Sequence, residues 1–179
     1  MAGTFDVASI CHQPPRERVV EVSLQTKIRL YRLQASSLNG TLAVASLFPV
    51  PGADVTLDIL QTGQVIGDWT ATSLYLHLQR QATADRGSRP LSTRIPGGVW
   101  SVKSGVLHFF VEADDDLFSR SPKLTWQILN DVIRGTSELL IDRFGARAVG
   151  LDFNVDVDRS GAGLVLVAFG GLEDLDDEE

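Results

Sequence analysis

Three histidines, two tyrosines and one cysteine are the side chains best suited to proton transfer or nucleophilic chemistry in this 179-residue chain. Histidine titrates near neutrality without tuning, so His77 and His108 are candidate acid–base residues, with Tyr75 as a second proton donor close to His77. Both histidines end similar stretches. "GDWTATSLYLHL" runs from Gly67 to Leu78 and "GVWSVKSGVLHF" from Gly98 to Phe109, with Gly, Trp, Ser and Leu-His at matching offsets. This echo predicts two equivalent strand starts, each opening on a tryptophan, Trp69 or Trp100, and reaching a histidine. An exposed tryptophan offers a face for stacking a sugar or an aromatic ligand, so Trp69 and Trp100 are candidate ligand-binding residues. Two copies fall short of the three that a repeat architecture usually needs. The spacing brings neither a carboxylate nor a third ligand to either histidine, and a hydrogen-bonded surface histidine leaves the same trace.

Other chemistry is weaker still. "DVDRSGAG", Asp156 to Gly163, starts like a calcium loop, but position twelve is Val167 rather than a bidentate glutamate, and the flanks alternate like strands rather than helices. A glycine-rich hairpin turn accounts for the octet. Asp152, Asp156 and Asp158 share one strand face, with Glu112 or Asp114 as conceivable neighbours; the simplest expectation is a solvated acidic face and no metal site. Cys11 beside His12 precedes Pro14 and Pro15 in an irregular arm, where adjacent side chains point apart. The single thiol precludes an intrachain disulfide and a cysteine-built zinc site. No phosphate loop, dinucleotide fingerprint, HExxH or G-x-S-x-G motif occurs, and no cofactor is expected.

The elements that must position these residues are mostly strands. "VVEVSLQTKIRLYRL" alternates strictly from Val20 to Tyr31, as a long strand with one polar face does. Asn39-Gly40 signals a turn; "TLAVASLF" and "VTLDIL" follow as strands around the loop "PVPGAD". "GQVIGDWTATSLYLHLQ" reads as another turn and strand, with Leu74, Leu76 and Leu78 inward and Tyr75, His77 and Gln79 outward. Residues 80–97, polar and rich in arginine, read as a long loop joining halves 19–79 and 98–172. After the strand "GVLHFFVEA" comes the one convincing helix. Ser121 is its N-cap, Pro122 its first residue and Gly145 its stop. Ile128, Leu129, Val132, Ile133, Thr136, Leu139, Leu140 and Phe144 form its apolar arc, with Trp126 on the margin and Gln127, Asp131, Arg134 and Glu138 opposite. Gly135 inside that helix implies a close approach to a sheet. "GLDFNVDVDRSGAGLVLVAFGG" reads as a terminal hairpin. Leu151, Phe153, Val155 and Val157 make the apolar face of its first strand; the second, Leu164–Phe169, is apolar on both faces and therefore expected to be central or covered.

These elements predict an α+β fold, a largely antiparallel sheet of seven or eight strands packed by one long amphipathic helix. The alternative is a β-sandwich or open barrel capped by that helix. Residues 1–18 form an irregular arm, 19–172 one domain and 173–179 a disordered acidic tail.

Hydrophobic content of 44% and charged content of 22% are ordinary for a soluble globular protein. Charge is uneven: residues 1–105 hold ten basic and seven acidic groups, whereas 106–179 hold six and sixteen. That balance argues against nucleic acid as a partner, because such binding needs a basic footprint. No stretch reaches the roughly 18 apolar residues of a membrane helix, and no signal peptide is read, so a cytoplasmic setting is expected over a secreted one. Two functions fit. The first is a non-enzymatic binding or self-assembling protein, its partner a second copy or another protein, with the opposite charge of the two halves favouring association. The second is a small enzyme without an organic cofactor. It would act on an apolar small molecule held between helix and sheet, using His77, His108 and Tyr75 as acid–base residues.

Overall fold

The computed structural model describes residues 46–114, 124–159 and 163–175. The elements run β1 (Ser46–Pro49), β2 (Val55–Thr70), α1 (Ala71–Arg86), a 3-10 turn (Pro96–Gly98), β3 (Val99–Ser104), β4 (Leu107–Ala113), α2 (Trp126–Phe144), β5 (Arg147–Arg159) and β6 (Gly163–Asp174). The strands form one sheet in the order β1-β2-β5-β6-β4-β3, antiparallel throughout. The α+β class and antiparallel sheet hold. The sheet has six strands among the described residues rather than seven or eight, and two helices rather than one. The strand read at Val20–Tyr31, the arm with Cys11 and His12 and the Asn39-Gly40 turn lie outside the described residues, as do Ser121 and Pro122; the helix expected to start there starts later, at Trp126, because Thr125 before it is extended and supplies the cap.

Period-two alternation explains the sheet's packed face. Ile59 pairs with Phe153, Phe153 with Gly170, Gly170 with Val111 and Val111 with Trp100, a row crossing five strands. Each residue in that row is buried. Register shifts after Ile59, Thr62 and Val65 lengthen β2 and move its inward side from odd to even positions, so that Ile66 is buried while Val65 is 46% exposed. Bulges do this by inserting an unpaired residue. The segments "VTLDIL" and "GQVIGDWT" are consequently one 16-residue strand.

Both helices join the same core as that row. α2 buries Leu129, Val132, Ile133, Thr136, Leu139 and Leu140 of the expected arc, and Trp126 on its margin is buried as well. Burial of each large apolar side chain stabilises the fold by about 1.5–3 kcal/mol. Thr125 caps α2, its hydroxyl accepting from the Ile128 N–H at 3.3 Å, and Gly145 ends it in the left-handed region at φ 60, ψ 36. Gly135 is required by packing: a Cβ there would lie 2.4 Å from Val50 Cγ2.

α1 replaces the strand read at "TSLYLHL" and the first part of the loop read at 80–97. Its core stripe is Ala71, Leu74, Leu78 and Ala82, a helical spacing, whereas Leu76 is 48% exposed. Ser137 Oγ of α2 donates to the Ala71 carbonyl at 3.1 Å, fixing the start of one helix to the middle of the other. At the other end of the chain, β6 carries Glu173 and Asp174 into the sheet, and the Leu175 N–H donates to the Val106 carbonyl at 2.7 Å. Ordered pairing therefore extends into the acidic terminus.

Candidate functional site

Trp69 and His77 come together where β2 meets α1. A reciprocal cap starts the helix: Thr70 Oγ1 accepts from the Ser73 N–H at 3.1 Å, and Ser73 Oγ accepts from the Thr70 N–H at 3.0 Å. That turn sets Trp69 beside the helix, with its ring 5.3 Å from the His77 ring in an edge-on contact. His77 Nε2 is enclosed without a hydrogen-bond partner among the described residues. Tyr75 packs partly buried against the core, two positions from His77 and so on a different side of α1.

Trp100 and His108 occupy a different setting. Trp100 is 5% exposed; its Nε1 donates to Asp85 Oδ2 of α1 at 2.9 Å, and its ring meets Phe109 edge-on at 6.1 Å. His108 alternates with buried Leu107 and Phe109, so its ring lies on the sheet face away from the helices. There Nδ1 is 3.2 Å from Glu173 Oε2, and the ring stacks on Phe110 at 5.4 Å. The sheet therefore lies between His77 and His108. The sequence echo is carried by unlike backbones: Ser73, Leu76 and His77 belong to a helix, whereas Ser104 ends β3 and Leu107 and His108 begin β4.

A depression of about 200 Å³ is lined by Gln61, Gly63, Gln64, Gly150, Leu151, Asp152, Glu173 and Asp174. Its floor is backbone, because Gly63 and Gly150 approach so closely that a Cβ on Gly63 would stand 3.2 Å from the Gly150 Cα. No histidine or tryptophan lines it. Among the described residues, no three of His, Cys, Asp and Glu are grouped to hold a metal ion. Asp156 and Asp158 lie on β5, which pairs antiparallel with β6 from Arg159↔Gly163 inward. The acidic octet thus spans strands, not the helix–loop–helix of an EF-hand.

Among the described residues β3 pairs on one side only, with β4. The connection is a two-residue turn, Gly105-Val106, with Gly105 at φ 59 and Ser104 paired to Leu107. A positive φ at the first central position alone is the type II′ pattern, favoured in hairpins because it follows the strand twist. A turn of this kind closes on the Ser104–Leu107 hydrogen bond. Pairing then alternates, so Trp100, Val102 and Ser104 direct N–H and C=O toward β4, whereas Val99, Ser101 and Lys103 direct theirs outward. The side chains of these last three are all exposed, Val99 by 48%. The strand start expected at Trp100 is β3, but the run does not continue to His108: Gly105 between two alternating stretches breaks it into a hairpin.

No helix among the described residues is long and apolar enough to cross a membrane. Comparisons with protein families, with curated proteins and with solved structures find no match to this chain.

Proposed function

We infer that this protein works by binding and assembly rather than by catalysis, with a second copy of itself as its first partner. The observation that supports this is the β3 edge, where Val99, Ser101 and Lys103 are exposed and their backbone groups have no strand beyond them among the described residues. An unpaired edge is a ready template for another strand, and proteins that must stay monomeric blunt it with short strands, proline, bulges or charged side chains, lysine above all. β3 contains no proline, its register with β4 is unbroken, and its one charge, Lys103, stands near the end of the strand. The catalytic alternative, with His77, His108 and Tyr75 as acid–base candidates, needs a pocket that holds at least one of the histidines against apolar walls, and the depression at Gln61, Gly63 and Gly150 is lined by neither. Native mass spectrometry of the freshly purified chain tests the assembly reading. Assembly predicts a species of twice the 19.5 kDa chain mass, or a retained protein partner. A bare monomer at every concentration would count against it.

A further inference from the structure

Building on that assembly reading, we propose that two copies join through β3, edge to edge and antiparallel, about a twofold axis at Ser101. Three independent features of β3 select this arrangement. First, antiparallel neighbours keep side chains of one face together, so opposed residues must share parity. Centring on Ser101 opposes Ser101 to its own copy and Val99 to Lys103. These are the residues whose N–H and C=O groups point outward, so each opposed pair exchanges both backbone hydrogen bonds. Centring on Trp100 or Val102 would leave one end of the six-residue strand without an opposed outward group.

Second, the charge pattern fits this register. β4 sets Glu112 beside Val99 and His108 beside Lys103. Across the twofold, Lys103 of one copy therefore faces Val99 of the other, with Glu112 one strand further on. Two strand spacings are about 10 Å, within the combined reach of the two extended side chains. Lys103 would otherwise guard the edge, but here it meets an opposite charge; a register sliding Lys103 onto Lys103 is the one it opposes.

Third, the exposed apolar surface is covered. The aliphatic stem of Lys103 lies across Val99 of the second copy on its way to Glu112, removing from water a side chain that is 48% exposed. The result is a closed, isologous pair with a sheet continuous through both copies.

Sedimentation velocity on the full chain tests the proposal with five proteins: wild type, Ser101→Pro, Ser101→Ala, Lys103→Glu and Lys103→Glu with Glu112→Lys. Proline at an edge position whose N–H faces outward leaves the ladder to β4 intact. Ser101→Pro should therefore remain folded and become monomeric, while Ser101→Ala should associate like wild type. Lys103→Glu should weaken association on the order of tenfold by setting like charges together, and the double exchange should restore it. A wild-type dimer unaffected by Ser101→Pro or Lys103→Glu would overturn the β3 interface and leave the assembly reading standing. A wild-type monomer throughout would overturn both. Should Ser101→Pro fail to fold, the charge exchange between Lys103 and Glu112 reads the register by itself: an association unchanged by Lys103→Glu overturns it.

Discussion

At the scale of single residues, Gly135 shows how one position can be fixed by a neighbour far away in sequence. Alanine is the better helix former by about 1 kcal/mol, so propensity alone favours Gly135→Ala. The substituted methyl would instead collide with Val50 Cγ2, and Val50 is itself 2% exposed, with little room to yield. Overpacking of this kind costs about 1–3 kcal/mol. We expect Gly135→Ala to lower stability by a net of up to about 2 kcal/mol in urea unfolding, and expect Val50→Ala in the same chain to recover part of that loss. A Gly135→Ala protein more stable than wild type would show that α2 does not pack where the structure puts it. The Trp100–Asp85 hydrogen bond offers a second residue-scale check. It ties the end of α1 to the edge strand, and Asp85→Ala should cost about 1 kcal/mol by leaving the largely buried indole N–H unpaired.

At the scale of elements, α1 is where period two and period 3.6 compete for the same residues. Leu74, Leu76 and Leu78 alternate as a strand would; yet Leu74 and Leu78 are also one helical turn apart. What decides for the helix is the longer stripe Ala71, Leu74, Leu78, Ala82 and the Thr70–Ser73 cap, both present in the sequence. The two backbones give opposite expectations for one leucine. In the helix Leu78 is fully buried and Leu76 is 48% exposed. Leu78→Ala should cost about 2–5 kcal/mol and Leu76→Ala less than about 0.5 kcal/mol in chemical denaturation. Equal losses at the two positions would restore the strand. By contrast, α2 was legible because its arc runs over five turns with no rival period, and the β5–β6 hairpin because Leu151, Phe153 and Val155 alternate without interruption. The length of β2 was not legible: the bulges that join its two segments reverse the inward side, and a pattern that changes face midway looks like two strands. The site candidates failed to converge for a related reason. His77 and His108 sit in matching words of sequence, but a cap turns one into a helix and Gly105 turns the other into a hairpin.

At the scale of the whole molecule, what matters is where the sheet stops. Its packed face is closed by α1 and α2 over a core that includes Leu57, Phe109, Leu129, Ile133 and Phe153. The edge at β3 has no such cover among the described residues, and its outward backbone groups stand at alternate positions. The proposed assembly would use hydrogen-bonding capacity that this edge leaves open among the described residues. Amide-resolved hydrogen exchange of the wild-type chain, measured dilute and concentrated, reads this directly. In dilute solution the Trp100, Val102 and Ser104 amides should exchange slowly and those of Val99, Ser101 and Lys103 quickly; on concentration the fast set should become slow and the alternation vanish. If Val99, Ser101 and Lys103 stay fast at every concentration, the β3 edge is not where this protein meets its copy.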